Sequence, residues 1–254
     1  MTESMSRIVG VEEGVESNTE YEDHLQKLRD RIEQMGACVA NMIAGSVRAL
    51  VERDGELARH VMELDRRVDR FQVEMDDISL GLLARHQPVA SDLRFITTGL
   101  KLVTELERIG DLCVNICERA LERGSELDGE APLTAWEDLP WMGDAAQEMI
   151  CELLQAFIDS DPERARQVIE RDRDIDAHYE QCAGKLLAVG RRDSAYRHRE
   201  AGVHAAARHL ERIGDDVTSL AEMVVLMATA GTARASAAPE VSADARTITR
   251  RSRC

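Results

Sequence analysis

Aromatic residues make up only 3% of this chain, and its 254 residues include just 5 prolines. Strands draw on aromatic and β-branched residues, whereas Ala, Leu, Glu, Arg and Met, all abundant here, enter helices at little cost. The composition therefore predicts an all-α chain. No run of about 18 apolar residues exists, so no helix is expected to insert in a membrane. The most apolar stretch, Leu220 to Ala230, is short and interrupted by Glu222. A basic region followed by an apolar one is missing at the N-terminus, so no secretory signal is read. The six cysteines (Cys38, Cys113, Cys117, Cys151, Cys182 and Cys254) lack CxxC spacing. In a chain without a signal they are expected to be reduced and mostly buried, and the expected compartment is cytoplasmic.

Several chemistries are also missing. Carboxylate-bridged di-iron bundles use Glu-x-x-His on their helices. Three residues before the seven histidines stand Tyr21, Leu57, Leu83, Ile175, Ala195, Ala201 and Ala206, none of them Glu. No Gly-rich phosphate loop, nucleophile elbow or Cys/His zinc spacing occurs, and no nucleophile stands beside a base. The balance of 32 Lys and Arg against 48 Asp and Glu leaves a net charge of −16. Such a surface repels nucleic acid and suits a cation or a basic protein partner.

What is present is a repeat. Leu106-Glu107-Arg108-Ile109-Gly110-Asp111 returns 104 residues later as Leu210-Glu211-Arg212-Ile213-Gly214-Asp215, identical at all six positions. Upstream the offset is 107: Met35-Gly36 matches Met142-Gly143, and Asp65 and Asp69 match Asp172 and Asp176. A nearly constant offset marks an internal duplication, each copy roughly a hundred residues long.

Three long helices are expected in each copy. The first three run from about 21 to 52, 56 to 85 and 89 to 123, separated by Asp54-Gly55 and Gln87-Pro88. The other three run from about 141 to 158, 162 to 189 and 194 to 229, the fifth opening on Ser160-Asp161-Pro162-Glu163, a capping acid followed by Pro. Hence two tandem three-helix bundles, residues 21–124 and 141–231, joined by a linker at 125–140. Residues 1–20 and 232–254 are expected to be disordered tails.

Glu107 and Asp111, four apart, share a helix face with Asn115 and Glu118, while Leu106, Gly110, Cys113 and Cys117 line an apolar stripe facing the bundle core. Cys113 and Cys117 are accordingly read as core packing, and Gly110 and Gly214 as permitting close helix contact. The second copy repeats the acidic face with Glu211, Asp215, Ser219 and Glu222. The middle helices add further pairs, Asp65 with Asp69 and Asp172 with Asp176. Packed side by side, these helices bring four or five outward-pointing carboxylates together in each copy, a cluster suited to a hard cation with oxygen ligands. A solvated face without metal is the plainer reading of any one such pair.

Met35-Gly36, the Asp54 turn leading to Asp65 and Asp69, Gln87-Pro88-Val89-Ala90-Ser91-Asp92-Leu93-Arg94 and the two Leu-Glu-Arg-Ile-Gly-Asp motifs resemble the PhoU family of bacterial phosphate-signalling proteins. The similarity covers about residues 21–230. The resemblance implies two three-helix bundles, often as a homodimer, with metal clusters at the acidic motifs. It makes Asp65, Asp69, Glu107 and Asp111 the metal candidates of the first copy, and Asp172, Asp176, Glu211 and Asp215 those of the second. Asn115, Glu118 and Glu222 extend these motifs, and Ser219 replaces the usual Asn. The ions implied are divalent or trivalent: iron, zinc, manganese or magnesium. The role implied is negative regulation of the phosphate-starvation response, coupling the ATPase of a phosphate ABC transporter to a sensor histidine kinase. Rival readings are a metal-dependent helical-bundle enzyme, disfavoured by the missing nucleophile and base, and a metal-free adaptor for another transporter.

Overall fold

The computed structural model describes the backbone of residues 3–124, 137–190 and 196–235, and the side chains of residues 19–122, 137–188 and 201–230. The chain order is α1 (Glu3–Glu52), α2 (Gly55–His86), α3 (Ala90–Gly124), α4 (Asp138–Ile158), α5 (Pro162–Gly190) and α6 (Tyr196–Ala235), with no strand among the described residues. The all-α expectation holds, and the helix ends lie close to those expected, with three exceptions. Helix α1 begins at Glu3, in contrast to the loose tail expected up to residue 20; with no Pro in that stretch, an established helix extends at little cost per residue. At the other end α6 runs on to Ala235, and α4 starts at Asp138 rather than Trp141. The remainder of the expected C-terminal tail, and linker residues 125–136, lie outside the described residues.

The duplication is visible in the turns. Asp54 closes the start of α2 by accepting from Glu56 N and Leu57 N, both at 3.0 Å. Asp161 does the same for α5, from Glu163 N at 2.9 Å and Arg164 N at 3.1 Å. The preceding residues, Arg53 and Ser160, both take a left-handed backbone (φ 59° and 51°). The amides of Asp54 and Asp161 reach back to Ala49 O and Ala156 O, which satisfies a carbonyl otherwise orphaned at the helix end. Every one of these pairs is 107 residues apart.

Helices α1, α2 and α3 pack mutually, as do α4, α5 and α6; the two bundles then join through α1 on α4 and α3 on α6, so that one hydrophobic core runs through both. The α1–α4 crossing follows the repeat. A Cβ at Gly36 would sit 2.1 Å from Leu154 Cδ1, and one at Gly143 would sit 2.9 Å from Val47 Cγ2. Leu154 and Val47 are themselves 107 apart, so each copy's glycine receives the same position of the other copy. Only glycine lets the two backbones approach that closely. Phe95 of α3 and Phe157 of α4 stack across the junction, ring centroids 4.5 Å apart.

The copies have diverged where charge meets the core. Asp138 is buried and bonded to Lys185 Nζ at 2.7 Å, with His178 Nδ1 at 3.6 Å and the His178 ring stacked on Trp141. The matching position in the first copy is Arg31, which pairs with Glu74 at 3.2 Å and lies over Phe71. Each bundle thus keeps an ionic fastening there, with the sign of its first member reversed.

Candidate metal centre

Every acid named above stands on a long helix, and the packing of α2 on α3 and of α5 on α6 decides which of them meet. In the second copy α5 brings Asp172 and Asp176 against Asp215 of α6, with one oxygen of each within 4.8 Å of the others. Asp172 is half-buried, and its Oδ1 is shut off from solvent without a hydrogen-bond partner. Burial, then repulsion from Asp176 and Asp215, push its carboxyl up to about 6. The Thr218 hydroxyl stands close enough to favour the charged form yet outside hydrogen-bonding geometry, and its own Oγ1 is buried and unpartnered. Asp176 is raised by burial, Asp215 and Glu180. Glu211 is raised by burial, Asp215 and Asp176.

The first copy has the same arrangement with more room. Asp65 is raised by burial and then by Asp69 and Asp111; Glu107 is raised by burial, Asp111, Asp69 and Asp65. Four carboxylates from α2 and α3 therefore face one another. Among the described residues, no three of them draw together as tightly as the second-copy triad.

The expected outward direction of the acids is half right. Asp69, Asp111, Asp176 and Asp215 are exposed, whereas Asp65, Glu107, Asp172 and Glu211 are partly buried in the grooves between helices. Asn115, Glu118 and Glu222 lie one to three turns further along α3 and α6, and none contributes to the repulsion that raises the inner carboxyls.

The glycines of the repeated motif explain how the inner carboxylates fit. A Cβ on Gly214 would lie 2.6 Å from Asp172 Oδ1, and one on Gly110 would lie 3.3 Å from Asp65 Oδ1. Glycine in mid-helix costs roughly 1 kcal/mol against alanine, and here it leaves the space that the neighbouring helix's aspartate occupies. Close contact was legible in the sequence; that the contact is with the cluster itself was not. Gly214→Ala is therefore expected to displace Asp172, while Gly110→Ala asks Asp65 to move only a few tenths of an ångström. Regained helix propensity offsets the strain, so net stability changes by less than about 1 kcal/mol. The discriminating readout is the rise in melting temperature with added Mn2+, which should shrink for Gly214→Ala and persist for Gly110→Ala.

An all-oxygen donor set, mutually repelling and with one orphaned oxygen, fits a hard cation better than a soft one. Thiols play no part. Cys113 and Cys117 are buried on the apolar stripe, and burial pushes Cys117 up to about 12 and Cys113 higher still. Both are core packing, as expected, and the five described cysteines are all free, with only Cys151 exposed.

A second link sits between the motifs. Arg108 pairs with Glu105 on its own helix at 3.3 Å and reaches across to Asp216 of α6 at 3.5 Å. Asp216 follows the second motif directly and has Leu112 as its counterpart, so the bridge has no symmetric partner. Sequence reasoning misses both Asp216 and Thr218. It misses Glu180 too, although this residue continues the i,i+4 series from Asp172 and Asp176.

The PhoU domain model matches the chain twice, over residues 32–120 and 139–224, so each match covers one bundle and its acidic face. The chain belongs to the PhoU family. A relative from Pseudomonas putida, named a phosphate-specific transport system accessory protein PhoU homolog, is 33% identical over 208 residues, covering 82% of this chain and 80% of its own length. The phosphate-specific transport system accessory protein PhoU of Escherichia coli (strain K12) is 30% identical over 205 residues, 81% of this chain and 83% of that protein. Among solved structures, PhoU from Pseudomonas aeruginosa superposes with a TM-score of 0.77 at 32% identity, covering 83% of this chain and 99% of the other. The tandem-bundle architecture is thus a PhoU architecture, and the repeated Leu-Glu-Arg-Ile-Gly-Asp segments lie inside both matched regions.

Proposed function

We propose that this PhoU-family chain is a non-enzymatic negative regulator of phosphate uptake and of the phosphate-starvation response. The observation that carries the reading is the twofold PhoU match spanning both bundles, supported by relatives named as accessory proteins of phosphate-specific transport. In this proposal the chain couples the ATPase of a phosphate ABC transporter to a sensor histidine kinase on the cytoplasmic side and works as a homodimer. No helix among the described residues is long and apolar enough to cross a membrane, so contact with a membrane complex would run through its protein surfaces.

The acidic faces are assigned the metal. Asp65, Asp69, Glu107 and Asp111 would hold ions in the first copy, and Asp172, Asp176, Glu211 and Asp215 in the second, with Asn115, Glu118 and Glu222 as further oxygen donors along the same helices. Bound cations relieve the repulsion among the inner carboxylates and fix the α2–α3 and α5–α6 contacts. The surface offered to a partner then stays rigid. The orphaned Asp172 Oδ1 and the space left by Gly214 support this assignment.

The test is alkaline phosphatase output in phosphate-rich medium, in a strain of the source bacterium or a close relative lacking the gene. High output, silenced when the gene is restored, is expected. Low output in the deletion strain, with no second copy of the gene present, would overturn the reading.

A further inference from the structure

We propose that Glu20, His24 and His86 form a second, chemically different metal site, which takes a borderline transition cation of the zinc class. One donor atom of each residue lies within 4.8 Å of the other two. None of the three belongs to the acidic faces. Glu20 and His24 are four apart on α1 and so share a face. His86 is the last residue of α2; Gln87 then turns the chain away with φ 44°, leaving the imidazole turned toward α1.

The surroundings hold the ligands in place. The Tyr21 ring lies 5.3 Å from the His86 ring, and the Tyr21 hydroxyl donates to Asp92 Oδ2 at 2.8 Å, tying α1 to the first turn of α3. The His24 and His86 ring centroids are 6.4 Å apart. His24 Nδ1 lies 2.8 Å from the Glu20 carbonyl oxygen. In the tautomer that donates this bond, the Nε2 lone pair is free, the outer-shell pattern that orients metal-bound imidazoles. His86 Nε2 is buried and has no hydrogen-bond partner. A buried polar nitrogen without a partner, on a ring whose donor atom lies within 4.8 Å of a second imidazole and a carboxylate, points to a ligand among them.

The donor set selects the cation. Two imidazoles and one carboxylate suit Zn2+ with an open fourth position, whereas the all-oxygen faces suit harder ions. Tetrahedral ligation needs donors about 3.3 Å apart at zinc–ligand distances near 2.0–2.1 Å. From donors within 4.8 Å of one another, closure takes rotation of the exposed Glu20 side chain together with small turns of the two partly exposed imidazoles. The residues 107 further on are Leu127, Ala131 and Asp193, so the duplication does not carry this site and it belongs to the first copy alone. Its effect is to clamp α1 to the end of α2 at the outer end of that bundle.

The experiment is Zn2+ titration of the chelator-stripped full chain by calorimetry, with excess Mg2+ present to occupy the acidic faces. Imidazole resonances are followed by NMR in parallel. The expected result is one Zn2+ equivalent whose affinity falls at least about 10-fold in His24→Ala and in His86→Ala, with helicity unchanged. In the wild-type chain Zn2+ should shift the resonances of two histidines, the two that vanish in those variants. Equal Zn2+ affinity and stoichiometry in both variants would overturn the site. So would unmoved imidazole resonances in the wild-type chain, a readout that stands even if a variant fails to fold.

Discussion

Phe157→Ala is expected to lower the stability of the whole chain by about 3–5 kcal/mol, the cost typical of emptying a buried aromatic site. Phe157 is fully buried, stacks on Phe95 from the other bundle and also approaches Gly99 of α3. Its loss removes apolar contact from both bundles at once. Helices α1 and α4 cannot close over the gap, because Gly36 and Gly143 already set their separation at side-chain contact. Urea unfolding followed by circular dichroism and by tryptophan fluorescence should therefore give coincident transitions, both shifted to lower urea. Two separated transitions, with only one of them moved, would mean that the bundles fold independently and that the shared core stabilises neither.

Asp172→Asn should change sign with metal. In chelated protein at pH 7 the charged Asp172 is a liability: burial, Asp176 and Asp215 raise its carboxyl to about 6, above the value near 3.9 of an unfolded chain. The native state then binds the extra proton between about pH 4 and 6, so the penalty is fully present above pH 6. It fades as pH falls through that window and is gone below about 4. A rise of that size corresponds to about 3 kcal/mol; partial solvation of the site reduces this to about 1–2 kcal/mol. The amide variant should be more stable than wild type by that amount at pH 7, and the two should converge by pH 4. Saturating Mn2+ reverses the order. An ion at about 100 times its dissociation constant adds roughly 2.7 kcal/mol to the wild type and less to a variant missing one ligand. Thermal unfolding at pH 7, with chelator and with Mn2+, measures both arms. A variant that stays the more stable protein in both conditions would remove Asp172 from the metal site.

How much of this was legible in the sequence differs from residue to residue. The i,i+4 acid pairs and the Asp54 and Asp161 caps are local patterns, governed by a helix period and by backbone amides one turn away, and both are readable directly. The duplication carries the pairs into a common arrangement, because helices that repeat in sequence repeat their packing. What stays hidden depends on which face meets which. That Gly214 shelters an Asp172 oxygen, or that Arg108 reaches Asp216 on another bundle, follows from crossing angles that no short-range pattern encodes. The Glu20–His24–His86 cluster is hidden for the same reason, its members lying on two helices and 62 residues apart across the gap from His24 to His86. The early start of α1 escapes on other grounds: lack of apolar periodicity suggests lack of structure, although a long helix needs no apolar face of its own to extend outward.

The acidic faces are central to the proposed regulation, and complementation tests them most directly. A gene carrying Asn or Gln at Asp65, Asp69, Glu107, Asp111, Asp172, Asp176, Glu211 and Asp215 is placed in the deletion strain, and alkaline phosphatase is measured in phosphate-rich medium. A metal-holding role for these faces predicts output as high as with no gene at all, from a protein that accumulates to the wild-type level and keeps its helicity. Repression equal to that of the wild-type gene would contradict it.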